Sequence, residues 1–210
     1  MKLESTIALR RLVQADSGLV FNPRRRMHRQ IKTAADRIAG HFNDIEGAIG
    51  RGTSIDDATA PDHIRTAIHR TVSSAMLLGF QDASRYSGKR MPKNYGKKIS
   101  IEAAKRAEEV DGMMRATTQR WLRASNQFTL TPERALRAAR FESVNAYYNG
   151  VWHALTGQGR QKHWVTTSGN PCDKCQDAED AGYLDFDDIF PNGLDFPLAH
   201  LNCQCILLVR

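Results

Sequence analysis

The chain has no long hydrophobic run and no leader-like start. No stretch of its 210 residues approaches the ~20 uninterrupted apolar residues that a membrane-spanning helix needs. The opening segment, MKLESTIALRRLVQAD, places charges among its apolar positions and has no cleavage-site pattern, so we predict no signal peptide. These absences predict a soluble protein made in a reducing cytoplasm, where cysteine clusters more often bind metals than form disulfides.

The common signatures of nucleotide binding and hydrolysis are also absent. The sequence contains no G-x-x-x-x-G-K-[ST], no G-x-S-x-G and no H-E-x-x-H motif. Its glycines lie in turn-like segments rather than in phosphate-binding loops. We therefore expect no enzymatic activity and no small-molecule substrate.

What the chain does have is positive charge, unevenly distributed. Residues 1–130 carry 23 Lys and Arg against 13 Asp and Glu, whereas residues 131–210 carry 7 against 10. Such asymmetry suggests a polyanionic partner for the N-terminal part, although a solvated basic surface is the commoner reason for a modest excess.

The first 130 residues have helical periodicity and are predicted to form a basic helical domain. The first helix has apolar residues every three or four positions, namely Met27, Ile31, Ala34, Ile38, Phe42, Ile45 and Ile49. GRGTS at 50–54 should end it. The second helix, with Pro61 in its first turn, should bury Ile64, Ile68, Val72, Ala75 and Leu78.

Two further helices are predicted, separated from the second by a basic loop. SGKRMPKNYGKK (87–98) is rich in helix breakers and reads as that loop, and the third helix runs from near Ser100 to about Asn126. Thr131 as N-cap and Pro132 as the first helical residue begin a long connecting helix within 131–160.

The helical periodicity ends near residue 160. KHWVTT (162–167) and CILLV (205–209) predict a short antiparallel strand pair, and the acid-rich segment between them predicts loops. Because so little apolar sequence cannot form much core, residues 161–210 are predicted to be a small acidic module that a metal stabilises. The predicted fold class is therefore mainly α, with long N-terminal helices followed by a small α+β zinc-stabilised module.

The cysteines and one histidine form a candidate metal site in this module. Cys172 and Cys175 form a C-x-x-C pair, and His200, Cys203 and Cys205 follow as H-x-x-C-x-C. Zinc takes four tetrahedral nitrogen and sulfur ligands, so five candidates predict a closed, structural Zn²⁺ site. The favoured four are Cys172, Cys175, His200 and Cys203, with Cys205 as the alternative fourth ligand.

Four other uses of the cysteines each have their own requirements. Two disulfides would require an oxidising compartment, and a thioredoxin-like pair would require a βαβ context that the helical pattern does not provide. Pro171-Cys172-x-x-Cys175 matches half of the deaminase signature, but no histidine or cysteine is followed two residues later by the required glutamate. A catalytic zinc would need a base such as His163 or Glu179 and an open coordination position.

The remaining charged and aromatic residues have simpler interpretations. The acids of the module lack the spacing of a calcium loop and predict a solvated acidic loop. Trp121, Trp152 and Trp164 are predicted core residues. Two basic clusters are candidates for sequence-independent contact with nucleic-acid phosphates, namely Arg24, Arg25, Arg26 and Arg29 in the first, and Arg85, Lys89, Arg90, Lys93, Lys97 and Lys98 in the second.

Four motifs follow one another in the last 80 residues, namely RAARFESVNAYYNG, KHWVTT, CDKC and FPLAHLNCQC. In this order they resemble the phage head morphogenesis family, the Mu F-like minor head proteins, over roughly 132–210. The matching positions are Arg140, Glu142, Asn145, Lys162, Trp164, Cys172, Cys175, Pro197, His200, Cys203 and Cys205.

The resemblance implies a low-copy structural component of the virion. Its implied partners are the portal protein and the major capsid or procapsid proteins, with packaged phage DNA as an additional candidate and no membrane. Its implied location is the capsid interior or portal region, after assembly in the host cytoplasm. The alternative is a cytoplasmic, non-sequence-specific DNA-binding protein with a structural zinc module.

Overall fold

The computed structural model of the chain describes residues 19–59, 63–125 and 132–210. The helices are α1 (Pro23–Arg26), α2 (His28–Gly50), α3 (Ile55–Ala58), α4 (His63–Ser87), α5 (Tyr95–Ser125), α6 (Pro132–Leu155) and α7 (Asp173–Asp180). The strands are β1 (Leu19–Phe21), β2 (Gln161–Val165), β3 (Leu184–Asp185) and β4 (Ile206–Val209). The predicted fold class is confirmed, since long helices precede a small C-terminal antiparallel sheet.

The predicted apolar stripe of the first long helix is the buried face of α2. Ile31, Ile38 and Phe42 are buried, and Met27 is buried immediately before the helix begins. The helix ends at Gly50, and Gly52 follows with a φ of 88°, a conformation that glycine adopts without steric cost. The predicted stop at GRGTS is therefore confirmed.

Helices α4 and α6 cross so closely that their backbones touch. A Cβ atom at Gly79 would lie 2.0 Å from the carbonyl oxygen of Tyr147, and one at Gly150 would lie 2.1 Å from that of Met76. Both separations are shorter than any ordinary Cβ contact, so only glycine fits at these positions. The crossing holds Tyr147 and Tyr148 of α6 in the core.

The sheet has the strand order β1-β4-β2-β3, with every neighbouring pair antiparallel. The predicted pairing of the two longer strands is confirmed, with Trp164 opposite Leu207 and Val165 opposite Ile206. Strand β4 is buried on both faces, because Leu207 packs on the main core and Leu208 joins a small cluster with Val165. The N-terminal part of the chain thus contributes an edge strand, β1, to the C-terminal sheet.

Two segments predicted as loops are helical. The predicted loop 87–98 was wrong at its C-terminal end, because α5 already begins at Tyr95. The Tyr95 ring is buried 4.3 Å from that of Phe80, which gives the first turn of α5 a packed side chain. Asp173–Asp180 is a helix rather than a loop, with the Cys172 carbonyl accepting hydrogen bonds from the Cys175 and Gln176 amides at 2.9 and 3.0 Å.

The three tryptophans do not share one environment. Trp164 is fully buried and Trp152 is half-buried against the core. The prediction of a core position for Trp121 was wrong, because this side chain is 44% exposed with the Arg134 guanidinium 5.0 Å from its ring centre. A cation can cover an aromatic face at the surface, so the ring does not need burial.

Several predicted helix boundaries, at Pro61, Asn126 and Thr131, lie outside the described residues. Leu78, predicted as buried, is partly buried. Over the described part of the chain, every helix is too short or too polar to cross a membrane.

Candidate metal centre

Three pieces of the chain bring the predicted ligands together. Helix α7 supplies Cys172 at its N-cap and Cys175 in its first turn. A turn closed by the Cys203 amide donating to the His200 carbonyl, at 2.9 Å, supplies the next two ligands. Cys205 lies directly before β4, which pairs with strands on both sides. A helix, a turn and the residue before a strand therefore supply the candidate ligands.

The ligand atoms form two overlapping groups that could hold a metal ion. Cys172, Cys175 and His200 have their ligand atoms within 4.8 Å of one another, and so do Cys175, Cys203 and Cys205. The Sγ atom of Cys175 lies 3.8 Å from His200 Nε2 and 3.9 Å from Cys203 Sγ. Cys175 belongs to both groups and is the central residue of the cluster. All five predicted ligands therefore belong to one of two groups that share Cys175.

Burial divides the cluster into an inner and an outer side. Cys175, Cys203 and Cys205 are buried, whereas Cys172 and His200 are exposed. All four cysteines are free thiols in this structure. The candidate ligands therefore lie at the edge of the core, with three buried thiols and two solvent-exposed side chains.

The thiols influence one another strongly. A hydrogen bond with the Cys205 thiol lowers the pKa of Cys203, whereas burial, followed by the nearby Cys203 charge, raises the pKa of Cys175. The hydrogen bond with Cys203, followed by burial, raises the pKa of Cys205. Without a cation, one thiolate forms at the expense of the others, because adjacent buried negative charges repel. A metal ion is what would allow several thiolates at once.

Glu179 fixes helix α7 against the end of β2. From the sequence, this residue was predicted only as a solvated acid or as a base for a catalytic zinc. Glu179 accepts hydrogen bonds from both the amide and the hydroxyl of Thr166, and its carbonyl oxygen lies 3.2 Å from His163 Nε2. At the other end of the helix, the Asn192 amide group donates to the Lys174 carbonyl at 3.0 Å. These contacts position Cys172 and Cys175 relative to the strand.

The predicted solvated acidic loop is only partly such a loop. Asp185 and Asp188 are exposed, but Asp187 accepts hydrogen bonds from the Thr156 hydroxyl and the Gly157 amide. The hydrogen bond from Thr156, followed by that from Gly157, lowers the pKa of Asp187. This carboxylate therefore binds the turn that follows α6 and joins the module to the helices.

The two basic clusters, 60 residues apart in sequence, meet at Asp82. Arg26 bonds to this carboxylate at 3.1 Å, and Arg85 lies 3.5 Å from it. Of the other predicted basic residues, Lys89 donates to the His153 carbonyl and Lys98 lies near Glu102. The exposed remainder comprises Arg25, Arg29, Arg90, Lys93 and Lys97.

One predicted nucleic-acid contact points inward. Arg24 is half-buried, and its Nη2 atom is buried without a hydrogen-bond partner among the described residues. Sequence analysis grouped it with its arginine neighbours because nothing in RRRMHR distinguishes one side chain from the next.

Two further arginines were missed by sequence analysis. Arg37 of α2 and Arg70 of α4 both line two neighbouring depressions of about 310 and 330 Å³ between these helices. Arg29 lines the first, whereas Asp44 lines the second. Isolated arginines on helix surfaces carry no sequence signal, and only the packing of α2 on α4 brings these together.

No protein-family model, curated protein or solved structure matches this chain.

Proposed function

We propose that this chain is a non-enzymatic minor head protein of a bacteriophage, present in few copies per virion and stabilised at its C-terminal end by zinc. The single observation that carries the proposal is that Cys175 joins two possible metal-binding groups, one with Cys172 and His200 and the other with Cys203 and Cys205. Those ligands lie in the segment that resembles the Mu F-like proteins. The proposed partners are the portal and procapsid proteins, in the capsid interior or portal region, after assembly in the host cytoplasm.

Zinc is the proposed metal because the donors and their spacing suit it. A tetrahedral site with Zn–S of about 2.3 Å and Zn–N of about 2.0 Å has edges of about 3.8 Å between two sulfurs and about 3.5 Å between sulfur and nitrogen. The observed separations around Cys175 are 3.9 Å to Cys203 and 3.8 Å to His200. Five candidate ligands for four positions favour a closed structural site, and such an ion contributes its binding energy to folding.

Other residues of the resemblance support a structural role. Glu142 is buried and accepts two hydrogen bonds from Arg106, at 2.7 and 2.8 Å. Lys162 is also buried, donating to the Asp195 carbonyl at 2.8 Å with its ammonium 5.1 Å from the centre of the Phe190 ring. Each of these charges is satisfied by the fold, so none is available to act on a substrate.

The test is quantitative mass spectrometry of gradient-purified virions, with copies of this chain counted per major capsid subunit. We expect a low number, similar to that of the portal protein. A Cys175→Ser variant should be depleted from heads, because it removes the ligand common to both groups of the cluster. Asp177→Asn, an exposed position on the same helix, is the matched control and should be incorporated normally.

Two results would contradict the proposal. Absence of the wild-type chain from virions and assembling heads would remove the assembly role. Wild-type incorporation of Cys175→Ser would separate the metal centre from that role.

The second candidate function, sequence-independent DNA binding, is favoured by the meeting of the basic clusters beside Asp82 and by the arginines between α2 and α4. Arginine side chains along a groove suit the phosphate backbone, and binding of this kind weakens steeply with salt. We infer that Arg37 and Arg70 are the most informative positions, since each lines both depressions.

The corresponding experiment measures duplex-DNA affinity by fluorescence anisotropy across a salt series. Replacing Arg37 and Arg70 with glutamine should lower the slope of log affinity against log salt by about 2, one unit for each lost phosphate contact. Lys105→Gln with Arg120→Gln removes the same charge from exposed positions on α5 and serves as the control. Equal slopes for the two double variants would place any DNA elsewhere, and no binding at low salt would eliminate this function.

A further inference from the structure

Strand pairing brings the start of α1 near the cysteine segment. In the β1–β4 ladder Phe21 lies opposite Leu207, and the two strands run antiparallel. The residues after Phe21 therefore continue in the direction of Cys205 and Cys203. Asn22 caps α1 by accepting a hydrogen bond from the Arg25 amide at 3.3 Å, which fixes the backbone at this point.

The Nη2 atom of the Arg24 guanidinium is buried and makes no hydrogen bond to any of the described residues. Arg140 is close enough for like-charge repulsion, and the nearby groups able to become anionic are Cys203, Tyr148 and Cys205. Tyr148 is fully buried and donates its hydroxyl hydrogen to the Phe21 carbonyl, so it remains a neutral phenol.

A buried guanidinium nitrogen without a partner is costly, and so is a buried cluster of thiolates. A divalent ion bound by three thiolates and one histidine has a net charge of about −1, and four thiolates give about −2. Arginine offers several N–H donors, and donors to metal ligands adjust metal affinity. Arg24 has a buried N–H donor without an acceptor, and the metal-bound site would have excess negative charge on its sulfurs. Each therefore supplies what the other lacks.

We propose that Arg24 is a positioning residue of the metal centre, donating its buried N–H group to the metal-bound thiolates of Cys203 and Cys205 and offsetting their charge. The inference rests on the metal centre of the proposed function, but not on the assembly role. It removes Arg24 from the candidate DNA contacts and gives the side chain a different role from exposed Arg25 beside it.

The test compares zinc affinities of the full-length chain, measured by competition with a chromogenic chelator. Arg24→Met keeps the length of the side chain and should weaken zinc binding about 10- to 100-fold, the usual range for partners of metal ligands. Arg25→Met removes an equal charge from an exposed position of the same helix and should leave affinity within about twofold. Arg24→Lys, which keeps the charge without the planar fork, should fall between them.

Metal-free folding separates a packing role from the proposed one. Thermal unfolding in chelator should give similar midpoints for Arg24→Met and Arg25→Met. In zinc, the midpoint of Arg24→Met should be lower than that of Arg25→Met. Equal zinc affinities of these two variants would overturn the Arg24 proposal while leaving the metal centre intact. A wild-type chain that binds no zinc would overturn both. Loss of metal-free stability matching the loss in zinc would show that Arg24 acts by packing alone.

Discussion

Replacing Cys175 with serine is expected to lower the thermal midpoint by about 8–16 °C in zinc. A ligand present at 1,000 times its Kd stabilises the folded state by about 4 kcal/mol, and each kcal/mol is worth about 2–4 °C for a chain of this size. Cys175 is the appropriate position because it is 1% exposed and belongs to both ligand groups. Circular dichroism during heating, with zinc and then with chelator, would measure the effect.

The comparison with chelator makes this prediction specific. Wild-type protein in chelator should unfold close to the Cys175→Ser variant, because both then lack the ion. Asp177→Asn should follow the wild type under both conditions, since this exposed side chain lies outside the cluster. A wild-type midpoint that does not respond to zinc or chelator would contradict the structural metal and leave Cys175 as an ordinary buried thiol.

Replacing Gly150 with alanine is expected to destabilise the protein by about 3 kcal/mol or more, at the upper end of overpacking effects, because backbone atoms cannot move aside as a side chain can. The added Cβ would lie 2.1 Å from the Met76 carbonyl oxygen and 2.8 Å from the Phe80 nitrogen. Gly79→Ala should behave in the same way, with its Cβ 2.0 Å from the Tyr147 carbonyl oxygen. Urea unfolding of each variant would give the change in free energy.

Gly112→Ala is the matched control for the crossing. This glycine also lies in a long helix, α5, but a Cβ there would meet nothing within 4 Å. The substitution should stabilise by about 0.5–1 kcal/mol, because alanine is the better helix former. If Gly150→Ala were as stable as Gly112→Ala, the backbones of α4 and α6 would not be in contact.

The helix crossing is connected to the candidate metal centre through Tyr148 and strand β1. Tyr148 lies two residues before Gly150, and its hydroxyl group donates to the carbonyl of Phe21 at the end of β1. Strand β1 pairs with β4, which begins immediately after Cys205. A shift of α6 away from α4 would therefore be transmitted to the strand that follows the cysteine ligands.

Local sequence predicted the elements whose signals are periodic or chemical. The apolar repeat in α2, the β-favouring residues of β2 and β4, and the two cysteine motifs each depend on residues close together in the chain. Strand β1 was missed because Leu19–Phe21 is only three residues long and becomes a strand through hydrogen bonds to β4, far away in sequence. Helix α7 was missed because its acid-rich sequence has few apolar residues and depends on burial of Cys175 and Ala178.

By itself, the sequence determined which residues could bind a metal and that long amphipathic helices would precede them, because donor chemistry and hydrophobic periodicity are properties of the local chain. Only the tertiary structure decided that the two ligand groups share Cys175, that Arg24 Nη2 is buried while Arg25 is exposed, and that Arg26 and Arg85 share Asp82. The physical reason is that orientation and burial come from packing between distant segments. Strand register and the glycine contacts of α4 with α6 fix that packing here, and neither can be read from a short stretch of residues.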